Sequence, residues 1–185
     1  MPPLHVFSNE YMRVDVLLCV IGCFLCCRYQ LSSVFPPIKD FGPIEADATG
    51  DSGVLFSGRW SRQTASPLEK YDGAVYYSSA HATETLAVTF LMDVPTTGWY
   101  KVTFIHPVSQ SAAVKVPVSL ATAGGTRTLY VNQRVAVRQT LGVFRLVEGT
   151  FEISISNDGV PADSSVFVGR IRLDLTHVRQ TSPPR

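Results

Sequence analysis

From Gly98 to Ser119 the chain reads GWYKVTFIHPVSQSAAVKVPVS, with bulky or apolar residues at alternate positions on both sides of an interruption. Successive side chains of a strand point to opposite faces, so a period of two buries one face and requires a second layer to bury it against. The stretch is read as a β-hairpin unit, with strands at 99–105 and 112–119 and a loop holding Pro107 and Ser109. Gly98 is expected to turn the chain sharply into the first strand through left-handed backbone angles, which glycine alone adopts without steric cost.

The same texture runs on from Ile44. Strands are expected near 54–60, 74–78, 84–92, 126–132, 141–146, 150–156 and 165–175, with turns at 93–98, 123–125, Glu148-Gly149 and 157–159. Glu148-Gly149 is read as a tight hairpin that brings Phe144 and Phe151 close together in two paired strands. Val, Ile, Thr, Tyr and Phe are frequent after residue 50 and no apolar stripe has a helical period, so the body is expected to be all-β, an antiparallel jelly-roll-like sandwich. A hydrophobic share of 45% over 185 residues can fill one core. Sixteen basic and 15 acidic residues with no long run of either sign exclude the basic footprint of a nucleic-acid binder.

Ahead of the sandwich, Arg13 precedes an apolar run from Val16 to Cys27, the length of a signal-peptide core and shorter than the ~20 residues a straight helix needs to cross a bilayer. A signal peptide, a membrane anchor and a short apolar helix docked on protein all fit. All four cysteines, Cys19, Cys23, Cys26 and Cys27, lie in this run among Leu, Val, Ile and Phe, without the closing ligands of a zinc site, so no metal is assigned. They are read as small hydrophobes, with Cys26 and Cys27 beside Arg28 as candidates for lipidation. The organisation expected is a leader at 1–30, a Pro-rich linker at 31–43, the sandwich at 44–176 and a disordered tail at 177–185.

Chemistry is sparse. The chain has no G-x-S-x-G elbow, P-loop, G-x-G-x-x-G or H-E-x-x-H. His5, His81, His106 and His177 are scattered, and His106 before Pro107 is read as a solvated loop residue or a modest packing element. Asp47, Asp51, Glu69 and Asp72 are placed in early loops, where turn formation or solvation accounts for them, and Asp47 with Asp51 makes only a poor calcium pattern. No catalytic residue and no cofactor is assigned. Aromatic side chains are the remaining lead, because the C–H faces of sugar rings stack on Trp and Tyr. Trp60 and Tyr71 beside loops, and one of the alternating pair Tyr76 and Tyr77, are the candidate ligand-binding residues, whereas Trp99 and Tyr100 opening a strand are read as core plugs.

The order of short motifs carries a resemblance. Ser57-Gly58-Arg59-Trp60-Ser61, Tyr71-Asp72-Gly73, Gly98-Trp99-Tyr100-Lys101-Val102, Val131-Asn132-Gln133 and Leu141-Gly142-Val143-Phe144, closing on 168–173, resemble the golvesin C-terminal or xanthan lyase carbohydrate-binding-like domain over roughly 44–175. The resemblance implies a small jelly-roll-like sandwich that binds polysaccharide without cleaving it. Two places depart from the family's pattern. Arg138 stands where a Trp is usual, and Gly169-Arg170-Ile171-Arg172 replaces an Asp-Ala-Val-Arg motif. The function implied is a secreted or membrane-tethered non-catalytic module for polysaccharide. The alternative is a structural or scaffold subunit using the sandwich as a protein–protein interaction domain in a membrane-associated or larger assembly.

Overall fold

Residues 87–94, AVTFLMDV, alternate as a half-buried strand must: Val88, Phe90, Met92 and Val94 are buried, while Thr89, Leu91 and Asp93 are not. The same rule repeats through the computed structural model, which describes residues 41–178 apart from 51, 64–70, 72 and 79–83. The chain divides into two units at residues 40 and 41, and every described residue belongs to the second. The leader with Cys26 and Cys27, nearly all of the linker, and the tail from 179 lie outside the described residues.

Among the described residues there are twelve strands and no helix. They are β1 (Ile44–Asp47), β2 (Val54–Ser57), β3 (Ser61–Gln63), β4 (Val75–Tyr77), β5 (Ala87–Val94) and β6 (Gly98–Ile105). The series continues with β7 (Val116–Thr122), β8 (Gly125–Val131), β9 (Arg138–Leu146), β10 (Gly149–Ser156), β11 (Phe167–Val168) and β12 (Arg170–Val178). A four-stranded sheet has the order β1-β12-β6-β9 and a five-stranded sheet the order β2-β5-β10-β7-β8, with a small third sheet β11-β4-β3. The strand pairings are antiparallel, as expected.

The two larger sheets share one core. Tyr100, Val102, Phe104, Phe144, Leu146, Ile171 and Leu173 from the first meet Val88, Phe90, Val118, Leu120, Phe151, Ile153 and Ile155 from the second. Two sheets burying their inner faces against each other form a β-sandwich. A satellite cluster of Tyr71, Val75, Ile105, Ala112 and Phe167 joins the small sheet to the end of β6.

The hairpin expected at 98–119 does not form. β6 lies between β12 and β9 in one sheet, and β7 lies between β10 and β8 in the other. Alternation fixes which side chains point inward but not which strand lies alongside, and the stretch 106–115 carries the chain across the sandwich with His106, Ala112 and Ala113 buried in it. Glu148 likewise leads from β9 to β10 in the opposite sheet, so Phe144 and Phe151 face one core from different layers instead of pairing. The tight hairpin within the large sheets is β7–β8, closed by Ala123-Gly124, with Thr122 opposite Gly125 at φ +102°.

Gly98 is also needed for a different reason than expected. Its φ is not in the left-handed region; a Cβ there would stand 2.7 Å from the Leu175 side chain and 3.0 Å from the His177 carbonyl. Space, not torsion, requires glycine. Torsion does matter at Gly142, where φ is +148° opposite a register shift between Val102 and Thr103. The Phe144 ring fills the place of the missing side chain, 2.9 Å from where a Cβ would be, which accounts for the L-G-x-F pattern.

Candidate functional site

The four aromatic candidates divide between two places. Tyr76 and Tyr77 point to opposite faces of β4: Tyr76 packs against the main core and Tyr77 against the satellite cluster, its ring 5.9 Å from Phe167. Trp60 is half-buried on the main core, and its indole Nε1–H donates to the Ser57 carbonyl at 3.1 Å. Tyr71 is not a surface residue. It is 8% exposed within the satellite cluster, and its hydroxyl lies where a side chain on Gly169 would stand. A position beside a loop in sequence did not keep it in water, because the bare backbone at Gly169 leaves a slot that an aromatic ring fills.

Three exposed aromatics lie outside the candidate set: Phe56, Trp99 and Tyr130. Phe56 sits on the edge strand β2, 41% exposed, with its ring 4.5 Å from Tyr76 and tilted by 54°. It lies near the end of a strand at the border of its sheet, so an inward-pointing side chain there is still wet. Phe56 and Tyr76 form an aromatic pair at this rim, with the Trp60 indole bonded to the Ser57 carbonyl next to Phe56 and Arg62 opposite Tyr76 in the β3–β4 register. The second is Trp99. Tyr100 fills the core as expected, and alternation then sends Trp99 to the outer face of the four-stranded sheet, 41% exposed.

That outer face is strongly charged. Asp47 pairs with Arg170 at 3.0 Å, Arg170 with Glu45 at 3.5 Å, Glu45 with Arg172 at 3.0 Å, Arg172 with Asp174 at 2.8 Å, and Asp174 with Lys101 at 3.4 Å. The ladder runs from β1 across β12 to β6. Burial pushes the Asp47 carboxyl up, but hydrogen bonds from the Thr49 hydroxyl and N–H, with Arg170, outweigh it and hold the group below the usual carboxylate range. Asp174 is lowered first by its bond to Arg172. Asp47 thus closes a strand and holds an arginine; Asp51, Glu69 and Asp72 lie outside the described residues. The departure at 169–172 has a structural meaning: Arg170 and Arg172 supply the ladder, and Ile171 between them points into the core.

Beyond Trp99, the row has two more exposed residues. In register, His177 on β12 and Arg145 on β9 stand on either side of Trp99 on β6, and Val143 lies opposite Lys101 one step along. Arg145 makes no ion pair among the described residues.

His106 is buried, not solvated. Its Nδ1–H donates to the Pro107 carbonyl at 2.8 Å, and its Nε2 accepts from the Gln139 amide at 2.9 Å. The other hydrogen of the Gln139 amide nitrogen goes to the Asn132 carbonyl at 2.6 Å, with the Ala136 carbonyl at 3.3 Å sharing it, which fixes the amide's orientation and therefore the histidine tautomer. Burial holds the imidazole below its ordinary value, against the opposing pull of the Pro107 bond. Among the described residues no three His, Cys, Asp or Glu come close enough to share a metal ion.

Two antiparallel sheets closed over one core, with wet aromatics on a rim and on an outer face, define a β-sandwich module. The chain belongs to the golvesin C-terminal domain family, whose model matches residues 44–174, as the order of motifs implied. It is similar to a Paenibacillus xanthan lyase, 26% identical with a TM-score of 0.66 over 72% of this chain and 13% of that one. Two more solved structures share the fold. A Podospora anserina GH26-CBM35 β-(1,4)-mannanase is 17% identical, TM-score 0.51, over 77% of this chain and 29% of that one. An Arthrobacter globiformis T6 isomalto-dextranase complexed with panose is 17% identical, TM-score 0.52, over 75% and 24%. The chain thus spans a small part of each of these proteins. No curated protein sequence matches it.

Proposed function

We propose that this chain is a non-catalytic carbohydrate-binding-like module that holds a polysaccharide against the aromatic rim of its sandwich. The observation that carries the reading is the exposed ring of Phe56 against the tilted ring of Tyr76, with Trp60 bonded to the carbonyl of the neighbouring Ser57. Ring faces left in water at a sheet border are the surface a pyranose C–H face covers. Family membership and the likeness to a segment of a xanthan lyase support it. The non-catalytic part rests on commitments: His106 is a structural donor and acceptor, and Glu45, Asp47 and Asp174 each hold an arginine. The purified full chain, applied to an array of polysaccharides that includes xanthan, is expected to retain at least one. Phe56→Ala, a substitution at an exposed position, is expected to weaken that binding about tenfold, the scale of a lost aromatic anchor. Binding to no polysaccharide, or an unchanged affinity in the variant, overturns the reading.

Leu55 and Leu91 favour a second reading. Both are exposed, on adjacent strands of the five-stranded sheet, and would suit a structural subunit that docks on protein. In the first reading the stretch from Val16 to Cys27 delivers the module to or across a membrane, and in the second it fixes the chain to a membrane or a larger assembly, with Cys26 or Cys27 as lipid acceptor in the membrane-anchored form. Intact-mass analysis of the chain from its native source separates them. Loss of about 30 residues supports a secreted sugar-binding module. An intact Met1 with a stoichiometric protein partner supports the subunit.

A further inference from the structure

We infer that the outer face of the four-stranded sheet around Trp99 is a second ligand surface, and that it takes an acidic polysaccharide, a chain whose sugars carry carboxylates. The inference extends the proposed function to strands other than those of the rim and rests on that reading for the sugar. Trp99 presents its ring outward while Tyr100 beside it fills the core, so the indole serves no packing need of the main cluster. In the strand register it is flanked by His177 and Arg145, all three outside the buried set. Neighbouring strands lie about 4.8 Å apart, so the row is roughly 10 Å across, enough for an aromatic ring to hold one sugar and a cation to reach its neighbour.

Charge chooses the ligand. The carboxylates of this face, Glu45, Asp47 and Asp174, are each engaged by Arg170, Arg172 or Lys101. Arg145 stands outside that ladder, so the face carries a cation beside its Trp that no carboxylate among the described residues answers. A guanidinium is a planar fork of donors matched to a carboxylate, and Trp supplies the apolar floor for the ring that bears it. A neutral glycan would use the indole and leave the arginine idle; a uronate uses both.

The test is calorimetry of the full chain with polygalacturonate, a uniform uronate polymer, and with the same polymer methyl-esterified so that its carboxylates are uncharged. Polygalacturonate is expected to bind about tenfold or more tightly than its ester, and to weaken as NaCl rises from ~50 to ~500 mM, because exposed charge pairs are screened. Trp99→Ala is expected to abolish measurable binding, and Arg145→Gln to reduce the acid form to the affinity of the ester. Tyr130→Ala, which removes an exposed aromatic from the other sheet, is expected to change nothing. All three positions are exposed, so the variants should fold, and a circular dichroism melt checks that they do. Equal affinity for acid and ester, no binding of either polymer, or a Trp99→Ala variant that binds as well as the parent overturns the inference. If the array still shows a polysaccharide lost in Phe56→Ala, the rim reading survives that failure.

Discussion

His106 shows how a single residue ties stability to pH. The tautomer fixed by Gln139 leaves Nε2 facing an amide that can only donate, so a second ring proton would meet another donor in a buried site. Burial holds the imidazole below its ordinary value in the folded chain, against the pull of the Pro107 bond, while the unfolded chain protonates near ~6.5. Between those two values the unfolded state binds more protons, so stability rises with pH across the window and falls as pH drops below about 6.5. The loss levels off once the folded imidazole itself titrates. Asp47 and Asp174, lowered from 3.8, act at the opposite end: their contribution is complete above that value and is lost only in stronger acid. The urea midpoint is expected to decline from pH 7.5 to 5.5, and His106→Gln to be less stable at pH 7.5 with a flatter profile. An equally steep decline in the variant would locate the effect elsewhere.

At the scale of elements, the shortest strand depends on one side chain. β11 has two residues, too few to hold itself, and the buried Gln133 completes it: its amide donates to the Phe167 carbonyl at 2.6 Å and its carbonyl accepts from the Phe167 N–H at 2.9 Å. The side chain copies a neighbouring strand. Removing it strands a buried N–H and a buried C=O, which costs about 1–3 kcal/mol each. Gln133→Leu is expected to lower stability by about 3 kcal/mol, read as a shift in urea midpoint without change of slope. Gln133→Glu can still accept but no longer donates to the carbonyl when ionised, so it should fall between the leucine variant and the parent only at low pH. A leucine variant as stable as the parent would show that water takes the place of the amide.

At the scale of the molecule, the main core draws its residues from Ala46 to Leu173, within the family's span of 44–174. A chain cut to begin at Phe41 is therefore expected to fold with a cooperative urea transition at a midpoint close to that of the full chain. A chain ending at Ser165 loses β11 and also β12, which lies between β1 and β6 and brings Ile171 and Leu173 to the core. Without it β1 has no neighbour, and the inner face of β6 loses its lateral partner. That shorter chain is expected to show no cooperative transition by circular dichroism, the loss of two buried aliphatics alone costing several kcal/mol, about 2–5 each. Native-like melting of the Ser165-terminated chain would mean that the four-stranded sheet is dispensable.

Period-two alternation by itself determined the all-β class and most of the strands, because side-chain direction in a strand is a local property of the backbone; the short β1 and β3 were not among those expected, and the strand expected at 165–175 is broken into β11 and β12. Alternation sent Tyr76 and Tyr77 to opposite faces, while glycine marked the turn at 123–125; of the two aromatics read as core plugs, Tyr100 is one and Trp99 is not. Motif order gave the family. Alternation could not say which strand lies beside which, since pairing depends on partners distant in sequence; hence the hairpin expected at 98–119 is a crossing between sheets. Nor could it give exposure at the borders. Tyr71 is buried because Gly169, 98 residues further along the chain, leaves it room, and Trp99 is wet because nothing among the described residues covers its sheet face there. Burial is set by what packs on top of a residue, and only the assembled sandwich decides that.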